Sequence, residues 1–378
     1  MQNSIEKNQD FLSHSRVKKL PLENKITFRA IGVGCLLSIR SFLSSIHQKL
    51  SPSSIVLSEM LVGYWTSQAI IAAAQLNIAD SFDSEPREVK SLAKELNCNS
   101  ESLYRLLRNL VSVGIFREIT PGLFQLTKLG LPLKSNHSKS IRDICLLHGT
   151  RFHWQAWGDL QYSVKTGNPS LENQFGGSLF KYLQENPIDN VLFNKAMGSW
   201  TSQSNSVIAK NYPFYRFPKI VDVGGGNGTF LEAILDIHKK CIGIVFDQNH
   251  VEPLYNSGIS FVAGSFFETV TSGADLYILK NILHDWNELD ALKILKVCRR
   301  EMGVKSRLLI IETIVPDNSA FHMSKMLDLE MLVMTKGGVE RTISQLDDLI
   351  HLANFRIVKT YQFECLETVI EIEPIYSN

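Results

Sequence analysis

The stretch Lys219-Ile-Val-Asp-Val-Gly-Gly-Gly-Asn-Gly-Thr-Phe230 leaves little choice of local fold. Ile220, Val221 and Val223 form a short apolar run rich in β-branched residues, as expected of a strand covered on both faces. Phe230, Leu231, Ile234 and Leu235 then recur at helical spacing. Between strand and helix, Gly224, Gly226 and Gly228 keep side chains off the turn, so a ligand can lie directly on backbone. The spacing is G-x-G-x-G with Thr229 in the sixth position, so the dinucleotide fingerprint G-x-G-x-x-G is not met. Asp222 stands just before the glycines, where a carboxylate repels a phosphate and suits an ammonium or sulfonium group.

A second apolar run, Cys241-Ile-Gly-Ile-Val-Phe246, ends in Asp247, whose carboxylate can accept both hydroxyls of a ribose. One acid for a cationic end and one for a sugar is the logic of an S-adenosylmethionine site, with S-adenosylhomocysteine as product. Further strands are expected at Ile259–Ala263, Asp275–Leu279 and Arg307–Glu312. Their alternation with helical segments predicts an α/β, Rossmann-like, doubly wound parallel sheet. Ligands of such sheets gather at the carboxyl ends of the strands, where Leu279-Lys-Asn-Ile-Leu-His-Asp-Trp286 begins. A neutral imidazole at His284 can take a proton from a hydroxyl there. Glu312 closes its strand and Glu340 lies in Lys336-Gly-Gly-Val-Glu-Arg-Thr342. A carboxylate bonded to one ring nitrogen would fix the tautomer and stabilise the imidazolium. The other reading of Glu312 is an ion pair with Arg307 or Arg341. No clustered set of metal ligands surrounds His284, so no metal is expected.

At 378 residues the chain is long enough for two domains, and a formal charge of +1 provides no global field for nucleic acid or anionic membranes. Six scattered cysteines with no C-x-x-C pair suggest reduced thiols and a cytoplasmic setting. Residues 1–50 combine Arg16, Lys18 and Lys19 with an interrupted apolar run, and read as an amphipathic arm against a partner subunit or, less simply, a membrane surface. Residues 51–140 read as a winged helix: a long helix over Val56–Leu76 with an alanine-rich face, shorter helices over Glu88–Leu96 and Ser102–Val113, and a hairpin around Thr120-Pro-Gly122. That pattern occurs in DNA-binding regulators. Here Arg105 and Arg108 share their helix with Glu101, and the basic stripe that duplex binding needs is missing. A homodimer role for this part, with no nucleic acid, is the expectation. Residues 141–378 are then the catalytic part.

Taken in order, Val221-Asp-Val-Gly-Gly-Gly-Asn-Gly228, Phe246-Asp247, Gly264-Ser-Phe-Phe267, the His284 segment, Glu312 and Gly337-Gly-Val-Glu-Arg-Thr342 resemble the motifs of the S-adenosylmethionine-dependent O-methyltransferases of the caffeate and hydroxyindole type. The resemblance implies a winged-helix dimerisation domain, His284 as general base bracketed by Glu312 and Glu340, and a small acceptor, aromatic or polyketide-like, with a phenolic hydroxyl. It implies Asp247 on the ribose, Ser265 and Phe266 near adenine, and Lys280 and Trp286 near the cofactor. Phe193, Met197, Asp285, Met331 and Met334 correspond to the acceptor pocket. Two departures stand out: Ser265 replaces the family's usual acid, and Gln248-Asn-His-Val251 replaces Leu-Pro-His-Val. Methylation at carbon, and a cofactor-bound relative that transfers no methyl, remain open beside O-methylation at this stage.

Overall fold

The computed structural model describes residues 46, 49–248 and 258–376. The expected N-terminal arm, apart from three residues, and residues 249–251 lie outside them. The first helix, α1 (Ser53–Gln75), leads into β1 (Arg87–Glu88), α2 (Val89–Glu95), α3 (Ser100–Ser112), β2 (Phe116–Thr120) and β3 (Leu123–Leu126). Asn99 caps α3 by accepting from the Ser102 amide at 2.9 Å, which satisfies one of the free donors of its first turn. Leu103, Leu107 and Leu110 of α3 pack against Phe82, Phe116 and Phe124, and β1, β3 and β2 form a small antiparallel sheet in that order. This is the winged helix.

The alanine-rich end of α1 does not face outward as expected. Ala73 and Ala74 are 1 % exposed inside this domain's own core, where small side chains let neighbouring elements approach closely. The unpartnered face lies on the N-terminal half instead, with Leu57, Met60, Leu61, Tyr64 and Trp65 all more than half exposed. Among the described residues, α1 is also the helix long and apolar enough to cross a membrane.

Six helices follow: α4 (Arg142–His148), α5 (Arg151–Gly158), α6 (Leu160–Thr166), α7 (Ser170–Phe175), α8 (Leu179–Glu185) and the long α9 (Pro187–Asn211). With a later helix, α12 (Met323–Met334), they share an apolar core and form a helical cap. The rest is β4 (Lys219–Val223), α10 (Thr229–Ile237), β5 (Ile242–Asp247), β6 (Ile259–Ala263), β7 (Leu276–Lys280), α11 (Glu288–Glu301), β8 (Arg307–Glu312), α12, α13 (Ile343–Leu352), β9 (Phe355–Gln362) and β10 (Thr368–Pro374).

These strands make one seven-stranded sheet in the order β6-β5-β4-β7-β8-β10-β9. Alternate residues serve opposite faces: Val221, Tyr277, Leu279 and Ile310 pack towards α11 and α13, and Ile220, Leu276, Ile278 and Leu309 towards α9 and α10. The sheet is not wholly parallel. β10 runs antiparallel to both β8 and β9, because the short link after β9 permits a hairpin but no crossover. Since β4, β5, β7 and β8 are parallel, their carboxyl ends share one edge, which carries the site.

Candidate active site

At the end of β7, Asn281 takes a left-handed φ of 52° and donates to the Ile311 carbonyl at 3.0 Å. The chain reverses there into a tight turn over Leu283–Asp285. Its backbone is held from three sides. Glu312 Oε1 accepts from the Ile282 and Leu283 amides at 3.1 and 2.8 Å. Arg341, 6 % exposed, donates to the Leu283 and Trp286 carbonyls at 2.8 and 2.7 Å. The Val339 amide donates to the His284 carbonyl at 2.8 Å. Gly338 permits that approach, since a β-carbon there would lie 2.9 Å from the His284 oxygen.

On this turn His284 Nδ1 meets Glu340 Oε1 at 2.9 Å, and Glu312 Oε2 lies farther away at 3.8 Å. Nε2 points to the other side, 3.8 Å from Asp285 Oδ1. Glu340 therefore orients the imidazole, while Glu312 anchors the turn beneath it and adds charge. The alternative of an ion pair between Glu312 and Arg307 fails, because Arg307 reaches Glu371 and Glu373.

The electrostatics differ from the neutral imidazole expected of the sequence. Burial alone would lower the His284 pKa, but the charges of Glu312, Asp285 and Glu340 overcome it and push it up to about 10. Burial pushes Glu312 up to about 7 against the pull of His284, and burial likewise raises Asp285. The surrounding carboxylates thus favour the protonated form of the ring. Glu312 Oε2 and Glu340 Oε2 are buried without a hydrogen-bond partner, beside a cavity of about 10 Å³ lined in part by Ile314 and Leu346. His284, Glu312 and Glu340 bring ligand atoms within 4.8 Å of one another, close enough for a cation, although Nδ1 and Glu340 already satisfy each other.

The glycine turn fits S-adenosylmethionine. Gly224, Gly226 and Gly228 have φ of 72°, 56° and 80°, and nothing lies within 4 Å of where a β-carbon on Gly226 would point. Asp222 is 2 % exposed beneath the turn, and burial, reinforced by Asp247 and opposed by Lys280, pushes it up to about 7. A carboxyl so placed gains from a cationic ligand. Asp247 Oδ2 accepts from the Gly226 amide at 2.8 Å and Oδ1 from Gln248 at 2.7 Å, which fixes the carboxylate at the strand end. Phe266 approaches Gly224 and meets Trp286 edge to face at 6.0 Å, offering an aromatic wall. Ser265 Oγ accepts from the Phe267 amide at 3.3 Å.

Lys280 is 3.5 Å from Glu367 with both side chains buried, so it bridges Asp222 and Glu367 electrostatically. Of the expected pocket residues, Asp285 stands beside His284, Met331 and Phe193 are partly buried, Met197 is 36 % exposed, and Met334 lies within the cap core at 3 %. Sequence reasoning named Arg341 only as an ion-pair candidate for Glu312 and missed the clamp that it forms on the Leu283 and Trp286 carbonyls. It also missed Glu367, which no motif marks.

The fold and this edge of the sheet define an S-adenosylmethionine-dependent methyltransferase. Comparison with known proteins makes the class narrower: residues 157–356 match the O-methyltransferase domain and residues 58–133 the O-methyltransferase dimerisation domain. The phenazine O-methyltransferase of Lysobacter antibioticus is 34 % identical over 333 residues, covering 86 % of this chain and 97 % of that protein. A methyltransferase of calicheamicin biosynthesis, solved with S-adenosylhomocysteine, superposes with a TM-score of 0.78 at 29 % identity over 85 % of this chain and 98 % of its own. A neocarzinostatin O-methyltransferase, solved with S-adenosylhomocysteine and 1,4-dihydroxy-2-naphthoic acid, gives 0.67 at 29 % identity over 82 % and 96 %. The chain belongs to the O-methyltransferase family and uses S-adenosylmethionine as its cofactor. The match over residues 58–133 covers most of α1, including Met60, Leu61, Tyr64 and Trp65 of its open apolar face.

Proposed function

We propose that the protein methylates a phenolic hydroxyl of a small aromatic secondary metabolite, as a homodimer, with His284 as general base. In this reading residues 51–140 are the dimerising unit and 141–378 the catalytic one. The observation that carries it is the division of labour on the imidazole: Nδ1 is engaged by Glu340 at 2.9 Å, while Nε2 is left for the acceptor. The relatives supply the acceptor class, since one is a phenazine O-methyltransferase and another binds a dihydroxynaphthoic acid.

When bound, S-adenosylmethionine supplies an electrophilic methyl on sulfonium, becoming S-adenosylhomocysteine. Asp222 would hold its cationic end and Asp247 its ribose, and Ser265, Phe266, Lys280 and Trp286 would help to hold the rest. His284 Nε2 takes the acceptor's hydroxyl proton, and Glu340 stabilises the resulting imidazolium through Nδ1–H. Because the free imidazolium must first give up its proton, neutral His284 is the competent form. Asp285, 3.8 Å from Nε2, faces the acceptor as well.

The test is a panel of phenols with labelled S-adenosylmethionine. His284→Gln should keep S-adenosylhomocysteine affinity and lower turnover by roughly 10²–10⁴. Wild-type turnover by that variant would refute the base assignment. Dialysis against a chelator should leave activity unchanged, and a loss restored by a divalent ion would give the carboxylate cluster a metal instead.

A further inference from the structure

On the face of the sheet that packs against α9 and α10, a row of charged side chains runs along the edge that carries the site. Below it that face is apolar, with Ile220 on β4, Ile278 on β7, Ile311 on β8 and Val369 on β10. Asp222 and Lys280 come two residues after Ile220 and Ile278, and Glu367 two before Val369 of the antiparallel strand. The strand period therefore returns all three to the same face. Asp222 is in register with Ile278, Lys280 with Ile311, and Ile311 with Val369, so the row reads acid, base, acid across β4, β7 and the start of β10.

Lys280 Nζ lies 3.5 Å from Glu367 Oε1 and 5.6 Å from the centre of the Phe230 ring. The same Glu367 oxygen accepts from the Ser204 hydroxyl at 2.7 Å, so α9 fixes this carboxylate from above the sheet. Asp222, Ser204 and Glu367 are all buried. Burial raises the Asp222 pKa most, Lys280 lowers it and Asp247 raises it further. The Cys365 thiol also faces the Lys280–Glu367 pair, and burial pushes it up to about 12, so it stays uncharged. As a tie between β7, β10 and α9 the pair is a weak device, since a buried ion pair does little better than an apolar contact. Its effect on charge is larger. A lysine's flexible stem lets the ammonium settle on the stronger of two neighbouring carboxylates. Without Glu367 that carboxylate would be Asp222, and an ammonium drawn onto it would cancel the charge that a cationic ligand needs.

Resting on the reading that Asp222 takes the cationic end of S-adenosylmethionine, we infer that Glu367 is a positioning residue. It holds the Lys280 ammonium on the β10 side of the row and so leaves Asp222 uncancelled for the cofactor.

Calorimetry of S-adenosylmethionine binding to the full-length protein at pH 7, in two buffers of different ionisation enthalpy, reads both the affinity and the protons released. The wild type should release up to about half a proton as Asp222 ionises. In Glu367→Gln, which keeps an oxygen for Ser204, Lys280 should move onto Asp222, so that release falls towards zero and affinity drops roughly tenfold. Lys280→Met should move release the other way, towards a whole proton, and the double variant should follow Lys280→Met. Glu367→Asp keeps the charge and should restore most of the wild-type release. A Glu367→Gln protein that releases as many protons as the wild type reduces the pair to a structural tie. A double variant that follows Glu367→Gln denies any action through Lys280. Should Glu367→Gln not melt cooperatively, Lys280→Met carries the test: unchanged release leaves Glu367 nothing to act through, and increased release supports its role. If the wild type releases no proton and Asp222→Asn binds as tightly, the Asp222 reading itself fails and takes the role of Glu367 with it.

Discussion

His284 sits among three carboxylates that act on it differently, and exchanging them one at a time separates the effects. Glu312→Gln keeps an oxygen for the Ile282 and Leu283 amides but removes charge, so the turn should hold while the imidazolium loses support. The alkaline rise of kcat/KM, set by loss of the His284 proton, should then move towards neutral pH, and an unmoved profile would deny Glu312 this electrostatic role. Arg341→Gln should act on the turn itself. Two buried carbonyls would lose a charged donor, at about 1–3 kcal/mol in thermal stability, and kcat should fall more than KM rises. A variant with normal kcat would make the clamp irrelevant to His284. Asp222 has its own signature: at pH 7 a carboxyl with a pKa of about 7 is half protonated, so binding a cationic ligand should expel up to about half a proton. Calorimetry in buffers of different ionisation enthalpy reads this release, and Asp222→Asn should abolish it.

At the scale of elements, α1 carries the clearest expectation. Leu57, Met60, Leu61, Tyr64 and Trp65 make an apolar face too continuous to leave in water. Leu61→Glu should convert a light-scattering dimer into a monomer at micromolar concentration, and a dimer that persists would place the interface elsewhere. The sequence located this helix but not its open face, because alanines look equally suited to an internal and an intersubunit contact. β4, β5, β7 and β8 were legible because a strand covered on both faces is written as an apolar run with a punctuated end. β9 and β10 were not assigned. Their residues alternate as strands do, yet their place in the order depends on a pairing across the whole sheet. For the site, His284, Glu312 and Glu340 could be read from strand ends and a double glycine. Which glutamate bonds the ring could not, since that follows from how a loop 56 residues away closes over the turn.

For the whole molecule, three raised pKa values set a direction. Asp222 and Glu312 move from 3.8 and 4.5 to about 7, and His284 from 6.5 to about 10. In each case the folded state holds its proton more tightly than the unfolded chain. The stability they contribute is full below the unfolded values and is lost as pH rises through the folded ones. The ligand-free protein should therefore melt at lower temperature from pH 5 to pH 8, and the gain from S-adenosylmethionine should grow over the same range as its cation offsets ionised Asp222. A gain that shrinks with pH would contradict this assignment.

The placement of β10 has a consequence for how the protein is made. It follows β9 in the chain, yet it lies between β8 and β9 in the sheet, with Thr368 paired to Glu312. While a ribosome is still adding residues before Thr368, the edge of β8 has no neighbour, and the Glu312 strand exposes a row of unpaired amides and carbonyls. The nascent chain can assemble its glycine turn and helical cap early. It cannot finish the floor beneath His284 until the last of these strands has emerged from the exit tunnel.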